Sequence, residues 1–204
     1  MNNFKTILTS SESTFKDKGS KFLAFAVPVK SAEEALEEVK KKRKEFFDAR
    51  HVCYAYMLGA ERQNFRINDD GEPSGTAGKP ILGQINSNNL TDILIIVVRY
   101  FGGILLGASG LINAYKTAAA EAITNAEIVE IDIEKLLKIT CGYDNINFVM
   151  KIIKDFDLKI LSQNQNFIFM KHINCEFIIS CKNKFYENLL KKLNSNFMIN
   201  FEYL

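Results

Sequence analysis

Two stretches of the chain are apolar almost without interruption, residues 22–29 and 93–98. A strand with one wet face alternates, whereas a strand covered on both faces reads as a continuous apolar run. Both stretches therefore predict strands sandwiched between layers, the second extending to Tyr100 and rich in β-branched residues. Gly19 punctuates the first, so residues 13–18 and 20–29 read as two strands joined by a turn. Ser31 followed by Glu34 is a capping-box pattern. It starts a helix running to about Phe47, with Ala35, Leu36, Val39, Phe46 and Phe47 facing inward. Residues 51–58 and 61–68 read as a hairpin with Gly59 and Ala60 at the turn. Pro80 suits a first helical position and predicts a short helix over 81–86. A longer helix is expected over 109–125, where the small side chains of Ala114, Ala118, Ala119, Ala120 and Ala122 permit close packing on a sheet. Residues 127–133 close this part as a short strand.

The remainder has a different texture. Strands are expected at 135–141, 158–163, 167–171, 176–181 and 198–203, with helices at 145–156 and 185–193. That order is βαββαβ with one interrupted or extra extended piece, which suggests a ferredoxin-like module. The chain thus divides into residues 1–133 and 134–204. The second part holds 10 Lys against 7 Asp and Glu, and the first 16 basic against 17 acidic residues. The net charges are +3 and −1, so weak anion contact by the second part is conceivable.

Composition excludes some classes. With 47% hydrophobic and 25% charged residues the chain is an ordinary globular protein. Cys53, Cys141, Cys175 and Cys181 form no CxxC pair, and His51 and His172 are the only imidazoles. Neither a local zinc site nor a disulfide framework is expected, and no cofactor is called for. The N-terminus has no apolar signal core, so a cytoplasmic location with reduced thiols is expected. Residues 93–115 approach the length of a membrane helix, but Arg99 and Gly102, Gly103, Gly107 and Gly110 divide them into strand, loop and helix. No membrane association is expected.

Two glycine-punctuated segments, 69–82 and 99–111, are the candidate functional surface. The first holds Asp69, Asp70, Gly71, Glu72, Ser74, Gly75, Thr76 and Lys79, with Pro73 and Pro80. Such a composition specifies an ordered loop with positive-φ turns and exposed amides, able to cradle an anion at a helix start. The Walker A spacing fails at both prolines. Asp69, Asp70 and Glu72 either bind a hard cation or are bonded to loop amides. The second segment, from Arg99, Tyr100 and Phe101 through Gly102 and Gly103, leaves a buried strand for a helix without the GxGxxG spacing. Arg99 needs a carboxylate partner or a cleft, since an unpaired buried charge is costly. Asp69 or Asp70 is the expected partner. Tyr100 and Phe101 read as core or as a stacking platform. His51 and Cys53 share a strand face, which makes a Cys–His nucleophile pair conceivable beside a buried structural cysteine. His172 reads as a surface or turn residue. Lys40, Lys41, Lys42, Arg43 and Lys44 form either a solvated helix face or an anion-binding patch.

These segments resemble the IMPACT/YigZ family. The residues that carry the likeness are 69–78 with Pro80, Ile81 and Leu82, then Val98 to Gly103 with Leu106 and Gly107. Ala49, Arg50, His51, Cys53 and Tyr56, and upstream Ser20, Lys21 and Phe22, match as well. Ser109 departs, standing where many members have Gly. The resemblance covers nearly the whole chain. It implies an α+β protein: an α/β sandwich like domain 2 of ribosomal protein S5, then a ferredoxin-like βαββαβ module like domain V of elongation factor G. It implies a translation- or stress-linked regulatory role, with RNA, the ribosome or a protein as partner and no DNA specificity. The binding cleft would comprise Arg50 and His51 with the residues named in both segments. The alternative is a hydrolase or phosphotransferase using Asp69, Asp70, Glu72, Lys79 and Arg99.

Overall fold

The structure, a computed structural model, describes residues 1–168 and 172–204, and the side chains of all of these except 165–168, 172 and 173. The chain forms two compact units, Phe4–Ile131 and Asp132–Leu204, the latter joined by Met1–Asn3.

The first unit is built on a five-stranded antiparallel sheet. Its strands are β2 (Ser11–Asp17), β3 (Ser20–Pro28), β4 (His51–Leu58), β5 (Asn64–Asn68) and β6 (Ile93–Tyr100), in the order β2-β3-β6-β4-β5. Alternation along the three central strands divides their side chains between two cores. Phe22, Ala24, Cys53, Ala55, Ile95 and Val97 pack on one face, under α2 (Gly78–Ser87) and α3 (Gly107–Thr124). Phe25, Val52, Tyr54, Ile96 and Val98 pack on the other, under α1 (Ala32–Glu45). The continuous apolar runs thus have their cause: both faces are covered. Ser31 caps α1 by accepting from the Glu34 amide at 3.1 Å, while the Glu34 carboxylate reaches back to the Lys30 amide at 2.7 Å. A separate two-stranded ribbon pairs β1 (Asn3–Ile7) with β7 (Ile128–Asp132).

The second unit runs β8 (Glu134–Gly142), α4 (Ile146–Asp155), β9 (Lys159–Ile168), β10 (His172–Lys182), α5 (Asn183–Leu193) and β11 (Ile199–Tyr203). Its antiparallel sheet has the order β11-β8-β10-β9. Leu137, Ile139, Phe177 and Ile179 pack against Val149, Ile152, Leu189 and Leu193 of the helices.

Several expectations need correction. Phe47 does not face inward; α1 ends at Glu45, the chain leaves helical geometry at Phe46, and Phe47 is 85% exposed. The strand expected from 61 begins only at Asn64, because the turn after Gly59 extends through Arg62, which has φ +54°. The two extended pieces at 158–163 and 167–171 fall on one strand through Ile168, and 169–171 lie outside the described residues. The side chain of His172 also lies outside them. The apolar stretch from 93 resolves into β6, a loop and α3. Among the described residues, no helix is long and apolar enough to cross a membrane.

Candidate functional site

The loop after β5 turns on Asp70 (φ +44°) and Gly71 (φ +83°), with the Glu72 amide donating to the Asp69 carbonyl at 2.9 Å. Two consecutive positive φ values closed by that bond are the signature of a type I′ turn, which Asp-Gly favours. The turn sends its three carboxylates to three different sets of donors. Asp69 accepts from the amides of Gly75, Ala77 and Gly78 at 2.9, 3.0 and 2.8 Å, and so caps α2, whose own N-cap residue Ala77 supplies no side chain. Asp70 accepts from the Val52 amide at 2.6 Å and pairs with the Arg43 guanidinium of α1. Glu72 turns inward. The three carboxylates thus diverge, Asp69 onto loop amides, Asp70 onto Val52 and Arg43, and Glu72 onto Arg99 and Tyr115. No group of three or more His, Cys, Asp or Glu side chains is arranged to hold a metal among the described residues.

Arg99, next to last in β6, lies on the α3 face, and its partner is Glu72, not Asp69 or Asp70. Arg99 Nη1 donates to Glu72 Oε1 at 2.6 Å, and the side chains are 7% and 3% exposed. Tyr115 of α3 donates its hydroxyl to the same oxygen at 2.9 Å. His51 Nδ1 lies 2.8 Å from the Asp70 carbonyl oxygen. A carbonyl only accepts, so Nδ1 carries the hydrogen, and Nε2 is left 4.0 Å from Glu72 Oε1. Ser20 links this centre to the loop after β6, since its Oγ accepts from the Gly102 amide at 3.2 Å and from Arg99 Nη2 at 3.4 Å. The Gly102 backbone lies so close to the β2–β3 turn that a Cβ there would stand 1.8 Å from the Gly19 carbonyl carbon.

Around this centre opens a cleft of about 440 Å³. Of the sequence candidates, Arg50, His51, Gly71, Glu72, Arg99 and Phe101 line it. Asp69, Asp70, Ser74, Gly75, Thr76, Lys79, Tyr100, Gly102 and Gly103 do not. Thr76 is buried and donates to the Pro73 carbonyl at 2.6 Å. Tyr100 lies on the opposite sheet face, its hydroxyl 2.8 Å from Asp48, which raises its pKa. Phe101 is not core; it is 45% exposed at the cleft. Leu105, Leu106, Gly107, Ala108 and Leu111 also line the cleft; they fall within the second candidate segment, 99–111, although none is singled out there as a binding residue. The signal for them was their place at the start of a helix following a buried strand.

The Cys53–His51 pairing does not form a nucleophile. Cys53 Sγ lies 3.0 Å from the Asp69 carbonyl oxygen, which can accept its single hydrogen, and 3.3 Å from Tyr115 Oη. Burial pushes its pKa far above the ordinary thiol value, and the carboxylates of Glu72, Asp70 and Asp69 add to the rise. Burial likewise raises Tyr115. Cys53 should therefore resist iodoacetamide at pH 8 in the folded protein and become alkylated only in denaturant, as peptide mass mapping would show. Rapid labelling of the native state would contradict this.

The basic run divides as well. Lys42 turns toward the sheet, with Nζ 3.9 Å from the centroid of Phe25 and a bond of 2.9 Å to Glu45. Lys40, Lys41, Arg43 and Lys44 line a shallow groove of about 730 Å³ together with Glu37 and Phe47. Lys41 pairs with Glu38 at 2.6 Å, which raises its pKa, and Arg43 pairs with Asp70. The Arg43–Asp70 pair connects α1 to the loop whose carbonyl holds His51.

The Impact N-terminal domain model matches residues 18–123. An IMPACT family member of Haemophilus influenzae is 37% identical over 149 residues, 72% of each chain. IMPACT family member YigZ of Escherichia coli is 34% identical over 157 residues, covering 76% of this chain and 77% of its own. A crystal structure of a hypothetical protein superposes with a TM-score of 0.73 at 26% identity, covering 100% of this chain and 98% of the other.

Proposed function

The chain belongs to the IMPACT family, and from that premise we propose that it is a regulatory binding protein linked to translation, which contacts single-stranded RNA through α1 and the adjoining cleft. The observation that carries this reading is Phe47, an aromatic ring 85% exposed in a groove lined by Lys40, Lys41, Arg43 and Lys44. Cations that follow a phosphate backbone beside a ring that stacks a base are the two parts of a sequence-tolerant single-strand site. The binding assignment for Arg50, His51, Glu72, Arg99 and Phe101 rests on their convergence in the cleft. Residues 1–133 are read as the sandwich like domain 2 of ribosomal protein S5, supported by a covered antiparallel sheet. Residues 134–204 are read as ferredoxin-like, akin to domain V of elongation factor G, supported by the βαββαβ order and the strand order β11-β8-β10-β9. The enzymatic alternative finds less support: Asp69, Asp70 and Glu72 are held in separate networks and Lys79 lies outside the cleft.

Fluorescence anisotropy with a labelled single strand of about ten nucleotides tests the reading, since one such site covers about 4–16 nucleotides. Affinity should fall steeply with salt. Replacing both Lys40 and Lys44 with alanine should reduce the slope of log K against log salt by about 1.4, at about 0.7 per phosphate contact. Phe47→Ala should weaken binding by about 1–3 kcal/mol per stacked base without changing that slope. Absence of binding at low salt would overturn the RNA assignment.

A further inference from the structure

The two helices that start at the site are finished differently. At α2 the Asp69 carboxylate takes the Ala77 and Gly78 amides, so the positive end of that helix is filled by the chain's own anion. α3 opens at Gly107 without a side-chain cap, and Gly107 and Ala108 line the cleft. A helix end alone is not a site, but a second feature converges on it. Arg99 lines the same cleft, its side chain is 7% exposed, and its Nε has no hydrogen-bond partner among the described residues. Glu72 and Ser20 engage only its two terminal nitrogens. Arg50 stands on the cleft wall as a second guanidinium, and Glu72, already bonded to Arg99 and Tyr115, is the one carboxylate among the described residues lining it. The fixed charges therefore leave a positive excess, to which the end of α3 adds. Phe101, Leu105 and Leu111 line the same cleft and give it an apolar part with an exposed ring. The volume falls within the range of about 300–1,000 Å³ typical of small-molecule sites.

We infer that this cleft binds a nucleoside monophosphate group, free or as the 5′-phosphorylated end of an RNA strand. The phosphate lies against the α3 amides and Arg50, and the base against Phe101. A phosphate supplies several charged acceptor oxygens for amides and guanidinium, and a helix start is suited to hold it. The RNA-end form rests on the α1 reading given above; the free-nucleotide form does not.

Ala108→Asp separates binding from folding. A carboxylate in the first turn of α3 favours the helix and competes with a bound phosphate. The variant should melt at or above the wild-type temperature without ligand. Millimolar AMP or UMP should raise the wild-type melting temperature and uridine should not. Ala108→Asp and Arg50→Ala should each weaken monophosphate binding at least tenfold by calorimetry. A 5′-phosphorylated strand binding about tenfold more tightly than its 5′-hydroxyl twin identifies the RNA end as the source, and equal affinities identify the free nucleotide. No shift with AMP or UMP, or undiminished binding by Ala108→Asp, overturns the inference. If 5′-hydroxyl RNA still binds in that case, the α1 reading stands without it. If AMP binds and no RNA does, the α1 reading fails and the cleft remains a nucleotide site.

Discussion

Glu72→Ala is expected to destabilise the first unit by about 3–5 kcal/mol, the cost of leaving one member of a buried ion pair without its partner. Arg99 would keep its charge at a position with 7% exposure, with Ser20 at 3.4 Å as its remaining hydrogen-bond partner among the described residues. Tyr115 would lose the acceptor of its hydroxyl in the same step. A loss of that size corresponds to a fall in melting temperature on the order of 10 °C or more. Replacing the pair together, as Glu72→Leu with Arg99→Met, should recover most of the loss, because well-packed apolar residues often substitute for a buried pair without net cost. Urea unfolding of the two single variants and the double variant measures this. A Glu72→Ala protein within about 1 kcal/mol of wild type would show that water or rearrangement neutralises Arg99, and that Glu72 is not the centre described here.

Gly102→Ala is the second large expected effect, and Gly103→Ala is its control. At Gly102 the new methyl would meet backbone, 1.8 Å from the Gly19 carbonyl carbon and 2.1 Å from the Ser20 amide nitrogen. Backbone on both sides cannot move aside as the end of a flexible side chain can, so the turn between β2 and β3 must part from the loop after β6. The loss should reach about 3 kcal/mol or more, the upper part of the range for overpacking. Gly103 has φ +86° and no atom within 4 Å of a built Cβ, so alanine there meets only backbone strain, about 1–2 kcal/mol. Equal losses at the two positions would contradict the close approach.

These two positions also show how far the sequence was readable. The sandwiched strands were legible because burial on both faces leaves a continuous apolar run, and β3 and β6 fall where such runs occur. The need of Arg99 for a carboxylate was equally legible, being a matter of charge and burial. Which carboxylate was not. Asp69, Asp70 and Glu72 lie within four residues, and only the positive φ values at Asp70 and Gly71 decide that the third one turns inward. β1 escaped notice because it is short and pairs with β7, far away in sequence. Phe47 was misplaced by extending a helical period two residues beyond the end of the helix. Tyr115 lay unnoticed in a stripe of alanines, although a tyrosine on an apolar helix face generally needs a buried acceptor for its hydroxyl. The identity of Gly102 depends on a backbone contact between segments 82 residues apart, which no local pattern encodes.

In the function proposed above, α1 and the adjoining cleft form the contact surface for single-stranded RNA. Amide chemical-shift mapping during titration with a short single strand at low salt tests it most directly. The predicted map centres on Lys40, Lys44, Phe47 and Arg50, with smaller shifts at Gly107 and Ala108. A map confined to residues 134–204, or no shifts at all, would contradict it.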